Sequence, residues 1–245
     1  MEKLFSHPSS LRDVVTHYCP GCGHGIVHRL IAEVVDELEI REKVVAIAPV
    51  GCAVIAYDYW DFDCAEAAHG RAMAVATGIK RVRPETVVFT YQGDGDLAAI
   101  GTSETIHAAN RGENITGIFV NNAVYGMTGG QMAPTTLIGQ KTATTPHGRE
   151  INLPGMHGYP LKISEMLAQL AAVRYVERVA LFSPPEVNKA KKAIRLAFQN
   201  QIDNLGFSLI EVLSPCPTYW GMPPKKALDW TREVMAKEFT LGRIK

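Results

Sequence analysis

Near-continuous apolar runs recur along the chain at Val44–Val50, Thr86–Tyr91, Ile115–Val120 and Phe207–Leu213. A strand covered on both faces carries apolar side chains at successive positions, so these runs predict buried strands of a parallel sheet. Tyr175–Leu181 reads as a further strand. Between the runs the apolar positions recur at helical spacing. Helices are predicted over Ile26–Leu38, over Ala65–Arg83 ending before Pro84, and over Leu97–Asn110 closed by Gly112. Two more follow over Leu161–Ala172 and Pro184–Gln199, the second with proline near its start. The alternation predicts an α/β fold, a largely parallel sheet with helices on both faces. The segment Met127–Tyr159 breaks it, being rich in Gly, Thr and Pro with little periodicity. A loop that long within a compact domain is functional or covered by a partner. The chain contains no internal repeat.

The 245 residues suit one domain over 1–245, with 214–245 as a C-terminal extension. Apolar residues make up 47% and charged residues 20%, which argues for a globular chain over a disordered one. With 25 basic and 25 acidic residues the formal charge is zero, so there is no electrostatic footprint for nucleic acid or an anionic membrane. The longest apolar stretch, Val44–Tyr57, is interrupted by Pro49 and Gly51 and is too short to span a bilayer. Met1–Leu11 has no apolar signal core, which leads us to expect a cytoplasmic protein with reduced thiols. Five cysteines there suggest metal or catalysis before disulfides.

Candidate chemistry begins with Gly93-Asp94-Gly95-Asp96, directly after a predicted strand and before a predicted helix. Glycines let backbone amides approach an anion, and a helix N-terminus favours negative charge. Two acidic residues there make sense if a cation lies between them and the ligand; otherwise the segment is only a tight turn. Asn121-Asn122 ends the next strand, and Asn122 lies 28 residues after Asp94. That interval fits one right-handed crossover, which puts both residues at the carboxyl edge of neighbouring strands. Asp94, Asn122 and the carbonyl of Val124 are hard oxygen ligands of the kind Mg²⁺ takes.

Cys19-Pro20-Gly21-Cys22 is a C-x2-C pair ahead of the first helix. Cys52 and Cys216 each follow a predicted strand and so share the carboxyl edge. Four thiolates there suit zinc or an iron–sulfur cluster, while Cys52 and Cys216 taken singly read as buried apolar residues. Cys64 reads as a structural thiol.

Together these motifs resemble the β subunits of 2-oxoacid:ferredoxin oxidoreductases, and Gly-Asp-Gly with Asn-Asn resembles the thiamine diphosphate motif of thiamine-dependent enzymes. The likeness spans Tyr18–Gly25, Val50–Cys52, His69–Ala72, Gly93–Asp96, Asn121–Asn122, Tyr125–Gln131 and Ser214–Thr218. It implies a thiamine diphosphate-binding fold and a coenzyme A-dependent oxidative decarboxylation of a 2-oxoacid to acyl-CoA and CO₂. Ferredoxin would take the electrons through a [4Fe–4S] cluster on Cys19, Cys22, Cys52 and Cys216. It also implies Mg²⁺ on Asp94, Asn122 and Val124. The diphosphate would lie among Gly93, Gly95, Asp96, Gly126, Met127 and Thr128, with His69, Gly70, Arg71 and Cys52 facing the cofactor. His69 would touch the diphosphate or the reacting carbon, although as a bare segment His69-Gly70-Arg71 could simply open a helix. His24 could donate to a cluster sulfide or a substrate carboxylate, or cap a helix. His107, His147 and His157 read as surface residues.

The glutamate that assists thiamine ionisation has no motif match here; Glu66 is nearest in sequence but not at the family's position. The resemblance implies that an α subunit supplies it, with a γ subunit and a small ferredoxin-like subunit in the complex. Thr128–Met132 should border the substrate and contains no Lys or Arg, which favours a branched-chain 2-oxoacid over 2-oxoglutarate. A cation from the partner subunit, or Lys141 or Arg149 folding back, could reverse that preference. Two other readings stay open: a non-redox thiamine decarboxylase or acyl-transfer enzyme, and a non-catalytic metal module.

Overall fold

The computed structural model describes residues 6–152 and 157–245. The first five residues of the segment read for an export signal, and residues 153–156 of the long loop, lie outside the described residues. Seven strands form one sheet in the order β2-β1-β3-β4-β6-β5-β7. They are β1 (Val44–Ala48), β2 (Asp63–Glu66), β3 (Val87–Gly93), β4 (Thr116–Asn121), β5 (Val173–Ala180), β6 (Phe207–Leu213) and β7 (Gly242–Arg243). All neighbours pair in parallel except β5 with β7, which is antiparallel. This is the mostly parallel α/β architecture expected from the apolar runs.

Both faces are covered. Helices α1 (His24–Glu37) and, later in the chain, α5 (Pro184–Ile202) bury Val27, Ile31, Ala193 and Ile194 against Ala46, Phe89, Ile118 and Ile210. On the other face α2 (Ala72–Val82), α3 (Thr102–Asn110) and α4 (Ile163–Ala168) cover Ile47, Val88, Phe119 and Leu209. Neighbouring residues of one strand thus point into opposite cores, which is why the runs are apolar throughout. After β6 come two short helices, α6 (Pro217–Trp220) and α7 (Pro224–Trp230). Met235 and Phe239 then pack with Ala123, Leu137 and Leu213. Residues 214–245 therefore roof the sheet's carboxyl edge and end in its last strand.

Several boundaries differ from the sequence reading. Ala65 and Glu66 belong to β2, and the helix predicted from Ala65 starts at Ala72. Asp-Cys-Ala-Glu has weak strand propensity, and parallel pairing with β1 overrides it. The predicted Leu97–Asn110 helix is a π-helical turn, Asp96–Ile100, followed after Gly101 by α3. The predicted Leu161–Ala172 helix is only Ile163–Ala168, because Val173 already pairs with Phe207 in the sheet.

Candidate active site

Four adjacent strands, β1, β3, β4 and β6, deliver the site. Cys52 follows β1, Asp94 follows β3, Asn122 follows β4 and Cys216 follows β6. From β1 the chain runs out to β2 on one side, while β3 and β4 lie on the other. Such a reversal opens a crevice at the carboxyl edge. Here it is a cavity of about 310 Å³, lined by His24, Cys52, His69, Asp94, Asn122 and Met127 among others. Gly93, Gly95, Asp96, Val124, Gly126 and Thr128 line it too. Of the residues expected to face a cofactor, Gly70 and Arg71 stand behind the wall: Gly70 N donates to Asp96 Oδ1 (2.8 Å), and Arg71 pairs with Glu104 (2.8 Å).

Asp94 is buried. Its Oδ1 accepts from Gly95 N (3.0 Å) and its Oδ2 from Thr135 Oγ1 (3.0 Å). Burial pushes its carboxyl up to about 7, against hydrogen bonds from Thr135 and Gly95 that favour the anion. The Asn122 amide sets one terminal atom 3.2 Å from Asp94 Oδ2 and 2.7 Å from Val124 O. With nitrogen there, the amide donates to both; with oxygen there, three hard oxygens meet and require a cation. The donor set therefore fits Mg²⁺. Trp220 Nε1 donates to Asn122 O (3.0 Å) and holds this strand end in place.

His69 is braced from behind: its Nδ1 lies 2.6 Å from Asp96 Oδ1, and Gln92 Nε2 donates to Asp96 Oδ2 (2.6 Å). Asp96, expected at the cofactor, thus uses Oδ1 to orient His69 and the Gly70 turn, while Gln92 holds its Oδ2. His24 is buried, and its Nδ1 lies 2.6 Å from the Tyr91 hydroxyl oxygen. Burial, with His17 nearby, pushes the His24 imidazole down to about 3, so the ring is neutral. The Thr128 hydroxyl donates to Gln131 Oε1 (2.6 Å) at the exposed mouth.

Cys19, Cys22, Cys52 and Cys216 line a second cavity of about 140 Å³. Gly23 brings the C-x2-C loop onto the Cys216 segment so closely that a Cβ there would fall 2.3 Å from Ser214 Oγ. Among the described residues no three of His, Cys, Asp and Glu close on one point as a single metal ion would need. Thiols spread around a cavity suit a cluster several atoms across, which bears on the zinc alternative. Burial pushes the Cys52 and Cys216 thiols up to about 12, so both stay protonated unless a metal takes them. The two cavities share a wall made of Cys52, Asn122, Gly126 and Met127. Within it a Cβ on Gly126 would lie 3.2 Å from Cys52 Sγ.

Other expectations fall away from the site. Glu66 is exposed at the end of edge strand β2, and no glutamate lines the cavity among the described residues. Arg149 is buried and donates to the carbonyls of Pro134 (2.8 Å), His157 (2.9 Å), Gly158 (3.0 Å) and Tyr159 (2.7 Å). It clasps the long loop and has no capacity left for a substrate; Lys141 is exposed and does not line the cavity. His107 and His147 are exposed, as expected, while His157 Nδ1 accepts from Glu150 N (3.0 Å). Sequence reasoning missed Thr135, Gln92, Tyr91 and Trp220. Tyr91 and Gln92 had a local signal, polar groups at the carboxyl end of an apolar strand; Thr135 and Trp220 had none.

Comparison with known proteins adds the family. Residues 50–212 match the thiamine pyrophosphate enzyme, C-terminal TPP-binding domain. The whole chain is 52% identical to ketoisovalerate oxidoreductase subunit VorA of Methanothermobacter thermautotrophicus and covers 53% of it. It is 39% identical to 2-oxoglutarate synthase subunit KorB of Archaeoglobus fulgidus over 89% of this chain and 76% of that one. Among solved structures it resembles 2-oxoglutarate:ferredoxin oxidoreductase from Magnetococcus marinus, with TM-score 0.75 and 29% identity, over 89% of this chain and 70% of that one. The chain spans about half the length of the ketoisovalerate relatives it matches. No helix among the described residues is long and apolar enough to cross a membrane. The thiamine-type cavity, the fold around it and these likenesses lead to one conclusion: the chain belongs to the thiamine pyrophosphate-binding subunits of the 2-oxoacid:ferredoxin oxidoreductase family.

Proposed function

We propose that this chain is the β-type half of an enzyme that converts a 2-oxoacid, coenzyme A and oxidised ferredoxin to acyl-CoA, CO₂ and reduced ferredoxin. The observation that carries the reading is the shared wall: an oxygen-ligand site for a diphosphate-bound cation lies next to a cavity ringed by four thiols. When bound, thiamine diphosphate supplies a nucleophilic carbon and an electron sink, and a [4Fe–4S] cluster a one-electron acceptor. Asp94, Asn122 and the Val124 carbonyl hold Mg²⁺ and thereby the diphosphate. Amides of Gly93, Gly95, Gly126 and Met127, with Thr128, border the phosphate oxygens. Cys19, Cys22, Cys52 and Cys216 hold the cluster. His69, steadied by Asp96, accepts or returns a proton beside the diphosphate. Gly70 and Arg71 shape that turn from behind. Ile100, Val50 and Met127 keep water from the reacting face.

No glutamate among the described residues lines the cavity, which supports an α subunit supplying the one that activates thiamine. A γ subunit and a small ferredoxin-like subunit complete the complex, in a cytoplasm that keeps thiols reduced. No Lys or Arg among the described residues lines the cavity, and a second carboxylate would need one. A branched-chain 2-oxoacid therefore fits better than 2-oxoglutarate, in line with the 52% and 39% identities. The test is kcat/KM of the complex for 2-oxoisovalerate, 2-oxoglutarate and pyruvate, with iron and thiamine assayed on the same anaerobic sample. A preference for 2-oxoglutarate would refute the substrate reading, and iron-free active enzyme would refute the redox reading.

A further inference from the structure

Two imidazoles line the thiamine-type cavity, and opposite kinds of partner stand behind them. Behind His69 is a carboxylate, Asp96 Oδ1, 2.6 Å from Nδ1. A carboxylate that already accepts from Gly70 N and Gln92 Nε2 accepts here too, so His69 Nδ1 carries a hydrogen. Behind His24 is a phenol, the Tyr91 hydroxyl, 2.6 Å from Nδ1. Tyr91 is fully buried, and among the described residues its hydroxyl makes this one hydrogen bond. A buried hydroxyl proton needs an acceptor. Tyr91 therefore donates, His24 Nδ1 accepts, and the ring hydrogen sits on Nε2, the nitrogen left for the cavity. Tyr18 stacks on the ring at 4.7 Å and 9°, which fixes its plane.

We propose that Tyr91 is a positioning residue that locks His24 as an Nε2–H donor to an anionic oxygen of the 2-oxoacid. This rests on the functional reading above. No Lys or Arg among the described residues lines the cavity, so what this chain offers an anionic substrate oxygen there is neutral donors such as this one. The two histidines then divide the work: His24 donates to substrate, and His69 is held against Asp96.

The test compares Tyr91→Phe, His24→Ala and His24→Gln in the assembled complex. Tyr91→Phe and His24→Ala should each raise KM for 2-oxoisovalerate about tenfold, the effect of about 1.4 kcal/mol. The KM for coenzyme A and the iron and thiamine contents should not move. His24→Gln restores an N–H and should recover most of the loss. A titration with 2-oxoisovalerate without coenzyme A, followed by near-ultraviolet circular dichroism, should weaken in the same order. Unchanged 2-oxoacid affinity in Tyr91→Phe with cofactors intact overturns the proposal. So does loss of iron or thiamine in place of affinity, which would make Tyr91 a wall residue. A wild-type complex that binds 2-oxoisovalerate without oxidising it refutes the functional reading, and the titration then still decides for His24. If it binds none, both fall.

Discussion

Asp94 is a reluctant anion until a cation joins it, because burial opposes its charge. Asp94→Ala should therefore lose thiamine diphosphate by at least tenfold in affinity while the fold survives, read as cofactor content and far-ultraviolet circular dichroism. Retained thiamine would show that the oxygen site is not the anchor. For the thiols, Cys→Ser at 19, 22, 52 or 216 should bleach the visible absorbance of anaerobic protein. Cys64→Ser should leave it, since Cys64 sits in edge strand β2, where its thiol donates to Phe62 O (3.5 Å). Bleaching by Cys64→Ser with intact Cys216→Ser protein would reverse the assignment. Asp94, Cys52 and Cys216 were legible because each follows an apolar run, and Cys19 and Cys22 because of their C-x2-C spacing. Thr135, which steadies Asp94 from 41 residues away, was not: no periodicity or turn rule ties a loop threonine to a distant carboxylate.

Elements meet through a buried ion network. Arg178 on β5 donates to Glu211 of β6 (2.8 Å) and to Glu165 of α4 (2.7 Å and 2.8 Å). Asn121 Nδ2 donates to Glu211 Oε1 (2.8 Å), so the network underlies the strand end that carries Asn122. Arg178→Met leaves Glu211 unpaired in the core and should cost about 3–5 kcal/mol in urea unfolding. Burial alone would raise Glu165, but hydrogen bonds and charge from Arg178 outweigh it and hold its carboxyl below the usual range. Its contribution is therefore complete above about pH 4.5 and is lost as pH falls through the lowered folded value. Acid unfolding of the Arg178→Met variant should show a weaker pH dependence there; an unchanged profile would show that Glu165 is not a source of it. Strand β6 was read to the residue because all seven of its positions are buried. Strand β2 was invisible because its four residues are mostly exposed or half-buried and its stability comes from β1, not from its own side chains.

At the scale of the whole molecule, no glutamate among the described residues lines the cofactor cradle. Purified alone the chain should bind iron and thiamine yet oxidise 2-oxoisovalerate at less than about 1% of the rate of the complex, four orders being the upper range of one acid–base group. Robust turnover by the single chain would refute the division of labour. The fold class and the crevice were legible from alternation alone. The second cavity was legible only in part, through Cys52 and Cys216 at strand ends, because the rest depends on how the loop of Cys19 and Cys22 folds across the end of β6. The shared wall at Gly126 and Cys52 has a practical consequence for handling the protein. Air attacks iron–sulfur centres and oxidises exposed thiolates. If Cys52 holds the proposed cluster, its release takes the footing from the wall that also shapes the neighbouring cofactor bed. Aerobic samples should therefore shed vitamin along with colour, and adding thiamine diphosphate back should fail until the iron and sulfide are rebuilt first.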